Sequence, residues 1–326
     1  MSLVVLTGSR GCPLSWTPPE HTTRMFRVAH RALPLTLVEA LRRDISDVCE
    51  IVAIGGGTVM DAAKAWLHLQ GKRAKLTLIP TTFGTGAEVT PFATVYAADG
   101  RKLSLMMPDP INVEVQYIPE LLHSLPDAEV RAGLCDAFAH GFESLWARAA
   151  TAESMMLAKK GLQMIEPLLL SAPNLLQYEH ASALQKFGRL TGQAIAISKT
   201  TAAHALSYEL TQRFNIPHGY AVAFFLPELH AACRQHQYKT PDLAFRLQLQ
   251  ADALGLRNDA DVAEFLLHFV QRMIPSELRH HIQACLRLGR QQAPCPVRWS
   301  NFPLDYSMIN PVRLSSSNSS VTPGTA

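Results

Sequence analysis

One aspartate and three histidines in the second half of the chain have the residue types and spacing of metal ligands. Asp136 and His140 are four positions apart, so on one helix both side chains lie on the same face. His204 and His218 are too far apart for one helix face but suit a helix, a turn and the next helix. One carboxylate and three imidazoles can hold a divalent metal with an open position, and Fe(II), Zn, Co and Ni are the candidates. Each residue alone is more often a hydrogen-bonded core residue, so the predicted metal centre depends on the set.

The remaining histidines do not stand at a suitable spacing from other possible metal ligands. Several stand among charged or polar neighbours, and none belongs to a comparable ligand pattern. We therefore expect these histidines at the surface: His21, His30, His68, His123, His180, His230, His236, His280 and His281.

A strand, a glycine turn and a helix are predicted in the first third of the chain. The apolar stretch from Asp47 to Ile54 predicts a strand that runs directly into Gly55, Gly56, Gly57 and Thr58, and the following VMDAAKAWLHL has helical composition. This geometry places backbone N–H groups and a helix N-terminus where a phosphate can bind. A glycine triplet alone could equally be a tight turn without a ligand.

The next predicted strand, KLTLIP, also ends in a loop of small polar residues, TTFGTGAEVT at positions 81–90. The hydroxyl groups of Thr81, Thr82 and Thr85 could surround a pyrophosphate or a nicotinamide ribose. Two such loops at successive strand ends suggest one crevice at the carboxyl edge of a parallel sheet. The alternative is a pair of unrelated surface loops.

The rest of the chain divides into an α/β part and a helical part. Strands are predicted at Leu3 to Leu6 and Met25 to Ala29, a helix at Leu35 to Arg43, and a hairpin with its turn at Asp99-Gly100. Helical spacing then continues from Leu121 to about Leu288. We predict a dinucleotide-binding α/β domain at 1–118, an all-helical metal-binding domain at 119–312, and a disordered polar tail at 313–326.

Composition restricts the partners and the cellular setting. The 326 residues are 48% hydrophobic and 17% charged, and the net charge of +3 is spread along the chain, which argues against nucleic acid as the main partner. No apolar run reaches the roughly 18 residues needed to span a membrane. The six cysteines show no CxxC and no disulfide-like framework, so we expect a cytoplasmic protein.

Four segments together are similar to the iron-containing alcohol dehydrogenase family. They are GGGTVMDAAKA (55–65), PTTFGTGAEVT (80–90), DAFAH (136–140) and the His204 to Gly219 segment, in the order and spacing of that family. The resemblance runs from about Leu3 to Asn310. It implies a Rossmann-like nucleotide domain followed by a helical domain, and it makes Asp136, His140, His204 and His218 the metal ligands.

The same resemblance implies the cofactors and the partners. It implies Fe²⁺ with Zn²⁺ as the alternative, NAD(P)H, a small aldehyde or alcohol as substrate, and a homodimer. The dinucleotide contacts that it implies are Gly55, Gly56, Gly57, Thr58, Asp61, Thr81, Thr82 and Thr85.

Some segments resemble one branch of the family more closely. EVTPFATVYAADGRKLSL, the ESLW after His140 and KTTAAHALSYELTQRFNIPHG are similar to the phosphonoacetaldehyde reductase branch, which reduces phosphonoacetaldehyde to 2-hydroxyethylphosphonate. A dianionic substrate of this kind needs cations in the site. The candidates are Arg101, Lys102, Lys199 and Arg213, each of which could equally be a surface charge.

The sequence departs from the family at three places. Tyr208 stands where many members have a further histidine, so a proton relay there would use a phenol, water or a cofactor hydroxyl. Gly8 stands where the family has an acidic residue for the adenine ribose, and Arg10 could pair with a 2′-phosphate, so NADPH is at least tolerated. The segment between the first two strands is short and proline-broken where the family has a full helix.

Two other functions stay open. The related dehydroquinate-synthase type of lyase uses the same cofactor transiently and a metal, but it expects a phosphate-binding set of Lys, Arg and His around the ligands. A catalytically impaired dinucleotide-binding homologue would explain the short N-terminal segment and Tyr208.

Overall fold

The computed structural model describes residues 3–13, 16–30, 32–45, 48–71, 74–107, 113–165, 178–240, 242–288, 296–305 and 308. The chain divides into two compact units, Met1–Val130 with Ser171–Gly192 and Arg131–Leu170 with Gln193–Ala326. The predicted domains at 1–118 and 119–312 are continuous in the chain, whereas each compact unit is made of two separate segments. The predicted limits stay predictions. The predicted tail at 313–326 lies outside the described residues.

The first unit is built on a five-stranded parallel sheet. Its strands are β1 (Leu3–Thr7), β2 (Thr22–Arg27), β3 (Glu50–Gly55), β4 (Lys75–Pro80) and β7 (Val113–Val115), in the order β2-β1-β3-β4-β7. β1, β3 and β4 are buried along almost their whole length, which is why they read as continuous apolar runs rather than as alternating patterns. The predicted parallel α/β domain is confirmed.

The strand ends define one edge of this sheet. Gly55 pairs with Pro80 at the carboxyl ends of β3 and β4, so the chain leaves both strands at the same place. β3 begins at Glu50, later than the predicted Asp47, and β2 begins at Thr22, earlier than the predicted Met25. These differences concern strand starts, where side-chain patterns carry little information.

Two helices and a hairpin complete the α/β part. Helix α1 is Leu35–Asp44 and α2 is Gly57–Gln70, and the predicted hairpin is confirmed as the antiparallel pair β5 (Phe92–Tyr96) and β6 (Lys102–Met106). Its turn has Gly100 at φ +81°, a conformation that favours glycine. Between β1 and β2, the described residues contain no helix, as the prolines predict.

From Pro119 onward the described residues form helices, turns and loops but no strand. Of these residues, 119–130 and 178–192 belong to the first unit. A 3₁₀ helix at Pro119–Ser124 leads into α3 (Asp127–Trp146), followed by α4 (Ala152–Leu162) and α5 (Tyr178–Ser198). The later helices are α6 (Ala202–Phe214), α7 (His218–His236), α8 (Leu243–Ala253), α9 (Asp259–Met273), α10 (Ser276–Leu288) and α11 (Pro296–Trp299). The predicted helical domain is confirmed.

Helix boundaries follow local chemistry. Asn258 begins α9 by accepting hydrogen bonds from the backbone N–H groups of Ala260 and Asp261. α6 ends at Asn215, whose φ of +54° turns the chain in the left-handed region. Pro217 follows and cannot extend α6, so the next helix begins at His218.

None of the described helices is both long enough and apolar enough to cross a lipid bilayer. The cysteines in the described part of the chain, Cys12, Cys49, Cys135, Cys233 and Cys285, are free thiols. This agrees with the absence of a disulfide framework expected from the sequence.

The loop at 81–90 packs backbone to backbone against α5. A Cβ atom added at Gly188 would lie 1.7 Å from the carbonyl oxygen of Phe83, and one added at Gly192 would lie 2.8 Å from the Cα atom of Gly86. No side chain fits at either position unless the backbone moves. Two glycines four positions apart on one helix face therefore set how closely the loop approaches α5.

Gly188→Ala is expected to lower the free energy of unfolding by about 1–3 kcal/mol, because the added methyl group forces the loop away from α5. The measurement is urea unfolding of the purified variant. Gly8→Ala is the matched control, because a Cβ there would meet its nearest atom, Val59 Cγ2, at an ordinary 3.9 Å. Equal stability of the two variants would contradict the packing argument.

Candidate metal and dinucleotide sites

Three helices bring the predicted metal ligands together. Asp136 and His140 lie one turn apart on α3, with 3.5 Å between Asp136 Oδ1 and His140 Nε2. His204 on α6 places its Nε2 atom 3.5 Å from the same oxygen. His218, the first residue of α7, has its Nε2 atom 3.9 Å away. The four side chains that the sequence singled out therefore converge on one point.

The separations between these atoms fit a shared cation better than hydrogen bonds. Asp136 Oδ1 and His204 Nε2 are buried and have no hydrogen-bond partner, although an unsatisfied buried polar group costs about 1–3 kcal/mol. Distances of 3.5 Å exceed the usual range for N–H···O bonds. Metal–ligand bonds of roughly 2.1 Å at tetrahedral angles separate ligand atoms by about 3.4 Å. The donor set of Asp136, His140 and His204 thus fits a divalent metal.

Backbone packing places His218 within reach of the other ligands. A Cβ atom on its neighbour Gly219 would lie 1.9 Å from the carbonyl oxygen of Ala132 on α3. Only glycine lets the first turn of α7 approach α3 this closely. The Pro-His-Gly sequence therefore combines the helix start, the ligand and the close contact in three consecutive residues.

Glu143 is part of the centre, and the sequence analysis did not identify it. Its carboxylate is fully buried, and Oε2 accepts a hydrogen bond from Nδ1 of His204. Oε1 accepts from the Thr201 hydroxyl at 2.5 Å and from the backbone N–H of Ala203 at 2.9 Å. Burial acts to raise the pKa of Glu143, but His204 and these donors hold it below its ordinary value. The signal was its position on the Asp136 and His140 face of α3, three residues after His140.

This carboxylate fixes which nitrogen of His204 carries the proton. With Nδ1–H donated to Glu143, the Nε2 lone pair faces Asp136 Oδ1, as a ligand requires. The Thr201 hydroxyl is held in turn by Trp146, whose Nε1–H donates to it at 2.9 Å. A buried hydrogen-bond chain from Trp146 to His204 therefore orients the ligand.

The charges of the centre favour an ionised Asp136 and a neutral His140. Burial acts to lower the pKa of His204, but Glu143 and Asp136 bring it above its ordinary value. Burial acts to raise the pKa of Asp136, but the field of His140, His218 and His204 brings it well below its ordinary value. Burial lowers the pKa of His140 to about 4. His140 is therefore neutral at physiological pH and able to donate its lone pair.

His218 lies on the open side of the centre. Its side chain is 33% exposed, against 3–6% for the other three ligands. The phenol ring of Tyr208 stacks on its imidazole, with 6.3 Å between ring centroids and 8° between planes. The side of the cluster that faces solvent is therefore the side of His218.

In the first unit, the glycine turn and the loop at 81–90 meet as predicted. A Cβ atom at Gly56 would lie 3.2 Å from Thr82 Cγ2, and one at Gly57 would lie 2.8 Å from the Thr85 hydroxyl. The backbone N–H of Thr81 donates to the carbonyl of Gly55 at 2.9 Å. The first backbone N–H groups of any α-helix have no intrahelical partner, and α2 begins at this turn.

A buried lysine that the sequence analysis did not identify holds this loop. Lys64 on α2 is fully buried, and its ammonium group donates to the carbonyls of Ala87 at 2.8 Å and Phe92 at 2.6 Å. It also lies 2.9 Å from Asp61 Oδ1, while Asp61 Oδ2 accepts from the backbone N–H of Thr94 at 3.0 Å. These contacts give Asp61 a structural role, and its contact with a dinucleotide stays a prediction.

Glu88 is a second buried charge beside this loop. Burial raises its pKa to about 7, although Lys64, Tyr117 and Arg189 act to lower it. An unfolded glutamate ionises near 4.5. Between these two pH values the folded state holds one proton more than the unfolded state, so the stability that Glu88 contributes falls as pH rises through this window.

Glu88→Gln is expected to remove this dependence. Relative to the wild type, the variant should gain roughly 2–4 kcal/mol of unfolding free energy between pH 5 and pH 7.5. Urea unfolding at several pH values measures the difference. A constant gap between the two proteins over this range would show that the folded carboxyl ionises at its ordinary pH.

Several predicted charges have partners within their own unit. Arg10 donates to the carbonyl of Ser124 at 3.1 Å and lies 3.4 Å from a Glu129 carboxylate oxygen. Arg101 pairs with Asp99 at 2.6 Å in the exposed hairpin turn. These contacts occupy the two cations, and their roles toward a 2′-phosphate or a substrate stay predictions.

The expectation that His230 lies at the surface is wrong. The residue is fully buried in α7, and burial lowers its pKa to about 4. Its sequence neighbours misled because a helix face is shared with residues three and four positions away. Here those residues are Leu226 and Cys233, both fully buried. The other histidines predicted at the surface are exposed or half-buried.

Two family descriptions match successive parts of the chain. Residues 31–113 match iron-containing alcohol dehydrogenase, and residues 130–280 match the C-terminal part of the Fe-containing alcohol dehydrogenase family. Together the two matches cover more than half of the sequence. The chain belongs to the iron-containing alcohol dehydrogenase family.

Individual members of this family are similar to different extents. The chain is 35% identical over 223 residues to phosphonoacetaldehyde reductase of Streptomyces viridochromogenes, a match that covers 59% of this chain and 54% of the relative. It is 30% identical to maleylacetate reductase 2 of Cupriavidus pinatubonensis, over 57% of this chain and 51% of the relative. The matches thus span about half the length of these curated relatives.

Solved structures show the same fold at lower identity. Sulfoacetaldehyde reductase from Bifidobacterium kashiwanohense, solved in complex with NAD+, has a TM-score of 0.76 at 20% identity, over 97% of this chain and 89% of that chain. The iron-containing alcohol dehydrogenase from Thermotoga maritima has a TM-score of 0.71 at 22% identity, over 96% and 89%. The iron-containing alcohol dehydrogenase fold therefore extends over nearly the whole chain.

Glu143→Ala is expected to weaken metal binding by about 10–100-fold, because His204 loses the acceptor that fixes its tautomer and ring orientation. Competition with a coloured chelator measures the Kd of Zn²⁺ or Co²⁺. Glu143→Gln, which keeps one oxygen acceptor, should lie between the wild type and Glu143→Ala. Glu209→Gln is the control, because the half-buried Glu209 side chain on α6 pairs with Arg213 instead of a predicted ligand. An equal loss there would contradict a specific role for Glu143.

Proposed function

We propose that the chain is a metal-dependent, NAD(P)H-linked alcohol dehydrogenase that works as an aldehyde reductase. The observation that carries this proposal is the cluster of Asp136, His140, His204 and His218. Within it, Asp136 Oδ1 and His204 Nε2 face each other, buried and without a hydrogen-bond partner among the described residues. Membership of the iron-containing alcohol dehydrogenase family supports it. Fe²⁺ is the first candidate for the metal and Zn²⁺ the second.

A cation held by Asp136, His140, His204 and His218 would supply Lewis-acid polarisation of an aldehyde oxygen, and a bound nicotinamide would supply the hydride. The chain's own residues prepare this chemistry. Asp136 supplies the anionic ligand, while Glu143 keeps the His204 proton on Nδ1 and its Nε2 lone pair directed at the centre. Burial of three of the ligands excludes water and strengthens every charge interaction at the site.

The proton that completes the reduction has several possible sources within this proposal. Tyr208 stands beside His218 on the open side of the centre, where many family members have a histidine. A phenol hydroxyl at this place is one group that can donate a proton to a developing alkoxide. Water and a cofactor hydroxyl are the alternatives.

For the dinucleotide, we propose contacts from Gly55, Gly56, Gly57 and Thr58 at the start of α2. The close packing of the glycine turn against Thr82 and Thr85 supports a backbone cradle for a pyrophosphate. The residues proposed to contact the dinucleotide also include Asp61, Thr81, Thr82 and Thr85. A homodimer is the assembly that the family suggests.

As substrate, we propose phosphonoacetaldehyde, reduced to 2-hydroxyethylphosphonate. The support is the 35% identity with a relative named phosphonoacetaldehyde reductase. A catalytically impaired homologue is the second candidate, because the described residues between β1 and β2 contain no helix at the outer part of the nucleotide unit. Metal analysis and NADH and NADPH oxidation with a panel of aldehydes separate these functions.

Three outcomes of this experiment are informative. Stoichiometric metal with net oxidation of NADH or NADPH supports the reductase. Metal without net oxidation favours a lyase of the dehydroquinate-synthase type. Neither metal nor oxidation favours the impaired homologue.

His218→Ala is expected to reduce turnover by at least about 100-fold, because the centre loses a ligand on its open side. Dinucleotide binding, measured by fluorescence titration of NADPH, should stay close to the wild-type value. His280→Ala, on the exposed face of α10, is the matched control and should keep full turnover. Full activity of His218→Ala after exhaustive chelation would overturn the metal mechanism.

A further inference from the structure

An arginine that no motif includes packs on the ring of Tyr208, which stacks on the predicted ligand His218. Arg298 on α11 places its guanidinium carbon 5.6 Å from the centroid of the Tyr208 ring. That ring in turn stacks on the imidazole of His218 at 6.3 Å. The guanidinium is therefore no farther from the His218 ring than the sum of these two distances.

Within the described part of the chain, Arg298 has no ion pair and no hydrogen bond. This distinguishes it from the other arginines considered for an anionic substrate. Arg101 pairs with Asp99, and Arg213 pairs with Glu209 at 3.2 Å on an exposed surface. Arg298 is half-buried, and its guanidinium has donors left to pair with an anionic ligand.

A second cation, Lys199, is held near Arg298 by the backbone. The side-chain amide of Asn301, three residues after Arg298, donates to the carbonyls of Ser198 at 2.8 Å and Thr200 at 3.3 Å. Lys199 lies between these two residues and has a φ of +61°, which is uncommon for a residue other than glycine. The segment that carries Arg298 is therefore hydrogen-bonded to the residues on both sides of Lys199.

The two cations act on each other. The ammonium group of Lys199 donates to the carbonyl of Ala196 at 2.6 Å. Burial lowers the pKa of Lys199, and the charge of Arg298 lowers it further. An anion that binds between two like charges stabilises both of them.

We propose that Arg298 and Lys199 form the subsite for the anionic group of the substrate, and that the substrates are short aldehydes carrying a phosphonate or a similar tetrahedral oxyanion. The planar guanidinium can donate two parallel hydrogen bonds to such a group, and the lysine adds a point charge. The subsite rests on the proposed aldehyde reductase function. It retains Lys199 from the predicted cations and adds Arg298, which the sequence analysis did not identify.

The first test is equilibrium binding of ethylphosphonate, an unreactive probe, to the metal-loaded protein by isothermal titration calorimetry. Arg298→Met should weaken binding by about 10–100-fold, since it removes charge-assisted hydrogen bonds and keeps side-chain length. Arg298→Lys should recover part of the loss, and Lys199→Met should weaken binding less than Arg298→Met. Arg213→Met is the matched control and should bind as the wild type does.

The second test is the ratio of kcat/KM for phosphonoacetaldehyde to kcat/KM for propanal. Arg298→Met should lower this ratio at least about tenfold, mainly through the KM for phosphonoacetaldehyde. Metal content is measured alongside, so that loss of the metal is not mistaken for loss of the subsite. An equal loss with both aldehydes, or unchanged ethylphosphonate binding in Arg298→Met, would overturn the subsite.

The two tests separate the subsite from the proposed function. If the wild type oxidises no NADH or NADPH with any aldehyde, the reductase function fails, while the binding difference still decides the subsite. If the wild type reduces aldehydes but does not bind ethylphosphonate, the reductase function stands and the subsite is overturned.

Discussion

The buried carboxylate of Asp136 is the constraint on which the helical unit depends. Removing a charge from water costs several kcal/mol unless opposite charge or hydrogen bonds compensate it, and Oδ1 has no hydrogen-bond partner. Three imidazoles from α3, α6 and α7 surround this oxygen instead. Their nitrogen lone pairs cannot stabilise an anion by themselves, but a divalent cation between them satisfies all four side chains. Binding of a metal would therefore also stabilise the packing of these three helices.

In the α/β unit, close packing depends on backbone groups instead of on metal-ligating side chains. Its glycine turn and the loop at 81–90 approach so closely that side chains at Gly55 or Gly57 would collide with Val59 or Thr85. The loop keeps its shape because the ammonium group of Lys64 satisfies carbonyl oxygens along it from inside α2. One helix thus begins at the glycine turn and, two turns later, fixes the loop beside that turn.

Features that depend on residues close together in the chain could be predicted from the sequence. Features that depend on contacts between distant parts of the chain could not. The ligand pair Asp136 and His140 was predicted because one helical turn relates them, and buried parallel strands were predicted because both faces require apolar residues. Glu143 lay on the same helix face and was accessible to the same argument. Lys64 was not accessible, because a lysine on a helix ordinarily faces solvent and only the folded loop shows its partners. Burial of His230 depended in the same way on the helices that cover α7.

The departure of Tyr208 from the family and the position of Arg298 are physically linked. A guanidinium is attracted to the electron-rich face of a phenol ring, whereas a histidine at this place would repel it whenever the imidazole is protonated. The same ring stacks on His218, so it connects the cation to the metal centre through two face contacts. In the proposed function, the ligand set accounts for the chemistry of the carbonyl group. Selection among aldehydes is then assigned to residues outside the motifs, and Arg298 on α11 is the proposed one.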